Sequence, residues 1–139
     1  MSQVSIFWFR RDLRISDNPA LLAALAEGDE VLPIFIVDQA ISDRAGTFRR
    51  SYLASALKHL DKTLAGNLQV FAGDAVEILQ KLTKKYNATS IHCAKQYAPY
   101  GVALEKRISE SGIELQFTGC DYAVDPGKVR KPDGTPYKV

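Results

Sequence analysis

The sequence predicts an α/β fold built around a parallel sheet of five strands. Short apolar runs alternate with helical patterns along all of the 139 residues, and such alternation predicts parallel strands joined by right-handed crossovers. Residues 4–9 and 31–37 are almost entirely apolar. A run without polar alternation is typical of a strand that is covered on both faces, which places helices on either side of the sheet.

The first strand, at residues 4–9, is followed by a charged loop and then by a helix at about residues 17–26. Asp17 is a natural N-cap, and Pro19 falls in the first turn, where its missing N–H costs little. The apolar positions of this helix are expected on one face, and they are Leu21, Leu22 and Leu25.

The second strand, at residues 31–37, leads into a polar loop that ends at Gly46. Pro33 is expected near the start of this strand, where its missing ladder bond matters least. Thr47 can cap a long helix, because leucines recur at helical spacing after it; they are Leu53, Leu57, Leu60 and Leu64.

Three further strands complete the pattern. Residues 68–72 form the third strand, after which Asp74 and Glu77 have the spacing of a capping box that opens a helix. A fourth strand at residues 89–94 precedes a helix that ends at Gly112. In the fifth strand Ile113, Leu115 and Phe117 alternate with polar residues, which predicts an edge strand. The whole pattern predicts a three-layer Rossmann-like (flavodoxin-like) domain.

The length allows one domain with a substantial core, which we place at residues 1–119. Residues 120–139 contain two turn clusters and little apolar surface, so they are expected to begin a linker that packs against something else. A net charge of +2 is too small to indicate nucleic-acid binding by this domain alone.

The remaining composition predicts a cytoplasmic protein without a metal site. Cys93 and Cys120 have neither disulfide-framework nor CxxC spacing, which indicates free thiols in a reducing compartment. The sequence contains no apolar run of about 18 residues and no targeting segment, so no contact with a membrane is expected. His59 and His92 lack a second ligand at metal-binding spacing.

The opening WFRRDLR at residues 8–14, followed by SDNPAL at residues 16–21, closely resembles the start of the photolyase/cryptochrome family. Further segments resemble that family in the same order along the chain. They are GTFRRSYL at 46–53, LQVFAGD at 68–74, YAPYG at 97–101 and GTPYKV at 134–139. The order and spacing of these segments, rather than any one of them, make the resemblance specific.

The resemblance implies the N-terminal light-harvesting domain of a deoxyribodipyrimidine photolyase. In that family a larger helical domain follows and carries the catalytic FAD, the electron-relay tryptophans and the DNA-binding groove. The complete protein would be a carbon–carbon lyase that repairs pyrimidine dimers with blue light, whereas this chain alone would not be catalytic. The implied partners are that helical domain and, through it, damaged DNA. An uncovered docking face would also favour self-association.

Two other functions remain open. A cryptochrome photoreceptor would have the same first domain with a signalling output, and the residues that distinguish the two lie in the helical domain. A free-standing nucleotide-binding or interaction module on the same fold is the second alternative, because a fold does not fix a function.

The carboxyl ends of the strands are where an open α/β sheet binds ligands. Phe35, Ile36, Val37 and Asp38 could supply an apolar wall and backbone groups there; ordinary core packing is the alternative explanation. By analogy with the family, Arg49 is the best candidate to bind a ring carbonyl or a phosphate with its guanidinium. A solvated surface arginine is the alternative.

The loop at residues 95–101 offers further candidates. Gln96, Tyr97 and Tyr100 provide an amide, two aromatic faces and two phenol groups, which suit the stacking and orientation of a planar ring.

Arg11 is a candidate for binding an anionic tail of the ligand. Acidic residues close in sequence favour a structural ion network for this arginine and its neighbours. The network would join Arg10, Arg11 and Arg14 to Asp12 and Asp17.

The chain departs from the family pattern near Gly101. Members often carry an acidic residue where this chain has Ala98, and a charged run where it has residues 102–104, which are Val-Ala-Leu. The folate-binding subgroup typically uses an acidic side chain near this glycine. The resemblance therefore favours a deazaflavin or FMN over a folate as the antenna, with FAD confined to the absent helical domain. A pocket that holds no antenna is the alternative.

Overall fold

The computed structural model describes residues 2–137 and contains one sheet of five parallel strands. In chain order the strands are β1 (Val4–Phe9), β2 (Glu30–Asp38), β3 (Gln69–Gly73), β4 (Ser90–Lys95) and β5 (Gln116–Cys120). Their order across the sheet is β3-β2-β1-β4-β5, and all four pairings are parallel. The predicted five-stranded parallel α/β fold is confirmed.

The helices within residues 2–137 cover both faces of the sheet. They are α1 (Pro19–Glu27), α2 (Gln39–Ser42), α3 (Thr47–Thr63), α4 (Ala75–Tyr86) and α5 (Pro99–Glu110). The strand order is that of the Rossmann fold, in which the chain reverses direction across the sheet beside β1; the flavodoxin order is 2-1-3-4-5. The segment expected to be a polar loop after β2 contains the single turn of α2.

Two apolar clusters pack against opposite faces of the sheet. Alternate residues of β1 enter both of them, since successive side chains of a strand point to opposite faces. This explains why β1 is apolar throughout. The cluster beneath α4 and α5 includes Ile6, Trp8, Ile34, Ile36, Leu79, Leu104 and Ile108. The cluster beneath α1 and α3 includes Phe7, Phe9, Ala20, Ala24, Phe35 and Leu60.

Helix α1 begins later than predicted because Asn18, not Asp17, is its N-cap. The Asn18 Oδ1 accepts a hydrogen bond from the Leu21 N–H at 3.2 Å, while its Nδ2 donates to Asp12 Oδ2 at 3.1 Å. Asp17 is exposed and adopts a left-handed φ of 49°. The charged loop thus folds back onto Asn18, which a pattern of capping residues does not reveal.

The predicted apolar face of α1 is wrong at two positions. Leu22 and Leu25 are 66% and 56% exposed, whereas Ala20, Leu21 and Ala24 are buried. The two small alanines lie against Phe7 and Phe9 in the same cluster, and their size lets the helix approach the bulky aromatic residues of β1.

Other boundaries differ by a few residues. Gly46 is the N-cap of α3 and makes no side-chain cap bond, so Thr47 is the first helical residue rather than the cap. Pro33 lies in the interior of β2 instead of near its start, and the structure tolerates it because pairing with β3 begins only at Ile34. The predicted cap Asp74 is confirmed, since its Oδ1 accepts from the amides of Val76 and Glu77.

Strand β5 is an edge strand as predicted, but it begins at Gln116 rather than near Ile113. Ile113 and Leu115 instead pack onto the α4/α5 cluster from the preceding loop, so their alternation reflects burial of a connector. After β5, residues 121–137 form bends, turns and irregular segments without a helix or strand. Of the predicted linker, residues 138 and 139 lie outside the described residues, and the domain boundary stays a prediction.

Among residues 2–137, none of the helices combines the length and the apolar character needed to cross a membrane.

Replacement of Asn18 by alanine is expected to lower the free energy of unfolding by about 2 kcal/mol, because it removes an N-cap and one donor to the buried carboxylate of Asp12. Urea denaturation followed by Trp8 fluorescence measures the change. Asn67→Ala, which removes one exposed hydrogen bond to Leu64 O, is the matched control and should cost less than about 0.5 kcal/mol. Equal stability of Asn18→Ala and wild type would contradict the capping role.

Candidate functional site

A cleft of about 640 Å³ lies at the carboxyl ends of β1 and β2. Such a volume is typical of sites for small molecules. The pairing of β1 with β4 extends only to Phe7 and His92, although β1 continues to Phe9. The two strands therefore separate at the point where the crossovers leave toward opposite sides of the sheet, which is where open α/β sheets place their ligand sites.

The structure brings most of the predicted site residues to this one cleft. Those that line it are Arg11, Phe35, Ile36, Val37, Asp38, Arg49, Gln96 and Tyr100. Tyr97 is not part of its lining. The ring of Tyr97 lies 6.3 Å from that of Tyr122 at a steep angle, so it contacts the segment after β5 instead.

Sequence reasoning missed one entire wall of the cleft. Residues from α2, its connection to α3 and the first turns of α3 form this wall; they are Ala40, Ile41, Ser42, Arg44, Ala45, Arg50 and Leu53. Because residues 38–46 were predicted to be a polar loop, nothing in the pattern indicated that they would fold over a site. The sequence signal that could have indicated α2 was Asp38, a residue type that caps helices. Its Oδ1 accepts from the Ala40 amide at 2.9 Å.

Arg10 is buried beside the cleft and joins three parts of the fold. Its Nη1 donates to Glu105 Oε1 at 2.6 Å and to Ala94 O at 3.3 Å. Its Nη2 donates to Gln96 Oε1 at 2.8 Å. The guanidinium carbon lies 4.8 Å from the centroid of the Trp8 ring, a cation–π distance. These four partners lie on α5, on β4, in the loop after β4 and on β1.

The predicted ion network of the N-terminal arginines is only partly correct. The Arg10 guanidinium pairs with Glu105, and the only hydrogen bond that an N-terminal arginine makes to the Asp12 carboxylate within residues 2–137 comes from the Arg10 backbone N–H, at 3.1 Å. The Arg11 side chain lies 3.6 Å from Asp121. Arg14 does pair with Asp17, as predicted, mainly through the Asp17 carbonyl at 3.0 Å. Charges that are distant in sequence compete for these arginines.

Two carboxyl groups near this edge have shifted pKa values with different causes. Burial raises the pKa of Asp12 above its usual value, although hydrogen bonds from the Arg10 amide and Asn18 oppose the shift. The Arg107 guanidinium, 2.7 Å away, lowers the pKa of Asp74.

Gly101 allows Gln96 to reach Arg10. A Cβ at Gly101 would lie 2.4 Å from Gln96 Oε1 and 2.7 Å from Gln96 Cβ, distances that no side chain can occupy without movement. The absent side chain therefore lets the first turn of α5 pack directly over Gln96, the residue that accepts from the Arg10 guanidinium.

The floor of the cleft is mostly apolar, and one of its side chains carries a polar atom without a partner. Phe35, Ile36 and Leu104 line it together with Trp8. Trp8 is 4% exposed, and its indole Nε1 finds no hydrogen-bond partner in the described part of the chain. Since a buried donor without a partner is unfavourable, this atom indicates a place where a ligand or water group can bind.

The two rims of the cleft have opposite electrostatic character. On one rim Tyr100 Oη donates to Asp38 Oδ2 at 2.5 Å. Burial and this carboxylate raise the pKa of Tyr100 to about 12, so the phenol stays protonated. The other rim carries Arg44, Arg49 and Arg50 beside the N-terminus of α3.

The arginine rim suits an anionic or electron-rich group. Arg50 Nε is held by Ala45 O at 3.0 Å, while the guanidinium of Arg49 makes no hydrogen bond or ion pair within residues 2–137. Gly46 leaves the first amides of α3 without a side-chain cap, and the helix dipole favours negative charge at the same place. The cleft can thus hold a planar apolar ring with a polar substituent on this rim.

The sequence model of the DNA photolyase family matches residues 5–139. The chain is 31% identical over 141 residues to a deoxyribodipyrimidine photo-lyase of Agrobacterium fabrum, covering 96% of this chain and 29% of the relative. It is 36% identical to that of Streptomyces griseus, covering 91% and 30%. The chain belongs to the DNA photolyase family and spans about 30% of the length of these relatives. The family predicted from the sequence is confirmed.

Solved structures show the same fold over nearly all of the chain. A bacterial class III photolyase from Agrobacterium tumefaciens superposes with a TM-score of 0.84 at 30% identity, covering 100% of this chain and 30% of that one. An archaeal photolyase from Sulfolobus tokodaii, described with two FAD molecules and a novel light-harvesting cofactor, gives a TM-score of 0.78 at 32% identity, covering 93% of this chain and 32% of that one.

The sequence is also similar to cryptochromes. Cryptochrome-1 of Spalax judaei is 30% identical over 80% of this chain and 20% of its own length.

Replacement of Gly101 by alanine is expected to lower the free energy of unfolding by about 2 kcal/mol. The overlap with Gln96 outweighs the gain of about 1 kcal/mol that alanine brings to a helix. Urea denaturation measures the change, and Ser109→Ala on the exposed face of α5 is the control. Gln96→Ala in the Gly101→Ala background should recover part of the loss. A Gly101→Ala chain as stable as wild type would contradict the steric role of this glycine.

Proposed function

We propose that the cleft binds a planar, light-absorbing chromophore and that the chain is the light-harvesting domain of a deoxyribodipyrimidine photolyase. The observation that carries the proposal is the cleft of about 640 Å³ with an apolar floor and an arginine rim, at the ligand-binding edge of a photolyase-type sheet. The chain's own side chains make no bonds in this role; they hold the chromophore and fix its orientation.

The residues of the cleft fit a flavin or a deazaflavin. Phe35 and Ile36 offer apolar surface to a tricyclic ring, and Trp8 Nε1 offers an unpaired donor. Arg49 can donate to a ring carbonyl or to a phosphate on a side chain of the ring. The two FAD molecules of the Sulfolobus tokodaii relative support a flavin. The folate-binding subgroup typically uses an acidic side chain near Gly101, where this chain has Val-Ala-Leu at residues 102–104, and this difference favours these rings over a folate.

The complete protein, on this proposal, repairs pyrimidine dimers in DNA. A helical domain beyond this chain would hold the catalytic FAD and contact the damaged DNA, and this chain alone would not catalyse repair. The relatives from Agrobacterium fabrum and Streptomyces griseus support that assignment, because they are photolyases about three times as long as this chain. A cytoplasmic location is part of the proposal and is supported by the free thiols of Cys93 and Cys120.

A cryptochrome photoreceptor is the second candidate, and the similarity to Cryptochrome-1 supports it. The photolyase assignment is favoured because the photolyase relatives match a larger part of this chain, 96% and 91% against 80%. Self-association of the chain is a further part of the proposal. Phe48 and Tyr52, one turn apart on α3, are 93% and 79% exposed, and an exposed aromatic pair of this kind favours contact with another surface.

Titration of the purified chain with FMN, riboflavin, an 8-hydroxydeazaflavin and methenyltetrahydrofolate tests the proposal. Fluorescence anisotropy is expected to rise with the flavins or the deazaflavin and not with the folate. Arg49→Gln should weaken binding about tenfold or more, because it removes a charge-assisted hydrogen bond. Lys58→Gln, on the exposed side of α3 away from the cleft, is the control and should bind as wild type does.

Failure of the folded chain to bind any of these rings would contradict the light-harvesting role. Binding of the folate alone would contradict the class of chromophore while leaving the cleft as the site.

A further inference from the structure

We infer that Arg10 prevents Trp8 from giving an electron to an excited chromophore in the cleft. This inference rests on the proposed function, because it concerns the fate of a light-excited flavin or deazaflavin ring at that site. It makes Arg10 a positioning residue with an electrostatic effect on Trp8, rather than a residue that contacts DNA or takes part in repair.

Trp8 poses a problem for a light-harvesting site. It is the single tryptophan of the sequence, and it lines the cleft. An indole is easily oxidised, and an excited flavin or deazaflavin is a strong one-electron oxidant. One electron would leave the Trp8 ring and enter the chromophore, without any bond breaking, and would leave a radical cation on the indole. The excitation would then be lost before it could pass to another pigment.

The fixed cation on the Trp8 ring opposes this electron transfer. The guanidinium carbon of Arg10 lies 4.8 Å from the ring centroid, and the Arg10 side chain is only 4% exposed. A positive charge attracts the neutral ring through its quadrupole, but it repels a radical cation by direct Coulomb interaction. The repulsion is strong at this distance because little water screens it.

The carboxylate of Glu105 offsets only part of this charge. It accepts from Arg10 Nη1 at 2.6 Å, while Lys95 Nζ lies 3.7 Å from its other oxygen, so two cations share this carboxylate. The Asp12 carboxyl accepts the Arg10 backbone N–H rather than the guanidinium. Burial raises the pKa of the nearby Cys93 thiol to about 12, so this group adds no negative charge at neutral pH.

The test measures the excited-state lifetime of FMN bound to the full chain by time-resolved fluorescence. In Arg10→Gln, which removes the guanidinium and leaves Glu105 paired with Lys95, the lifetime is expected to fall about tenfold or more. Lys106→Gln removes an exposed cation from α5. This control should keep the wild-type lifetime.

Trp8→Phe identifies the electron donor. Added to Arg10→Gln, it should restore the long lifetime of bound FMN. In the otherwise wild-type chain it should leave the lifetime of the bound fraction as it was, even if it changes the affinity. Transient absorption adds a second readout, because an oxidised indole should be detected in Arg10→Gln only.

A wild-type lifetime that is short and that Trp8→Phe lengthens would overturn the inference while FMN binding, and with it the proposed function, still stands. Failure of the folded wild-type chain to bind FMN or the deazaflavin would overturn both. An Arg10→Gln lifetime equal to that of wild type would also overturn the inference. If Arg10→Gln does not fold, as judged by circular dichroism, Arg10→Met takes its place in the same comparison.

Discussion

The buried guanidinium of Arg10 is the interaction on which this edge of the fold depends. Beyond Phe7, β1 and β4 no longer pair, so the backbone ladder cannot hold the sheet together there. Arg10 fills the space and donates to Ala94 O at the end of β4 and to Glu105 on α5. Burial of a charge is costly unless its hydrogen bonds are satisfied, and here both terminal nitrogens have acceptors. The strands can separate without exposing the core.

The separation of these strands also creates the cleft. Because Arg10 holds α5 on one side, the opposite wall is left to α2 and the start of α3, which contribute the arginine rim. Gly101 matters for the same reason, since any side chain there would displace Gln96 from Arg10. The shape of the site therefore follows from the long side chain of Arg10 and the absent side chain of Gly101. The apolar lining comes from strands whose side chains also form the core.

The sequence predicted the parts of the fold that depend on local patterns. All five strands, the edge position of β5 and the cap at Asp74 follow from periodicity and capping chemistry. The sequence could not predict the ion pair of Arg10 with Glu105, because the two residues are 95 positions apart. Asp12, which is close in sequence, was an equally suitable partner by charge. The exposed leucines of α1 were missed because composition does not show how closely a helix approaches its sheet. The α2–α3 wall was missed because a four-residue helix leaves almost no periodic signal.

Stability alone does not explain why the floor of the cleft contains an ion pair. Apolar residues of similar volume commonly replace buried ion pairs with no loss, and often with a gain, of stability. The neighbouring positions of the same cluster, Ile36 and Leu104, are such residues. Besides its hydrogen bonds to Ala94, Glu105 and Gln96, a cation in this place has an effect that a methionine or leucine would lack, which is a positive charge held over the ring of Trp8. A site that only had to bind an apolar ring would gain little from that charge. On the inference above, a site that must also keep the excitation of the bound ring from an adjacent indole gains from it.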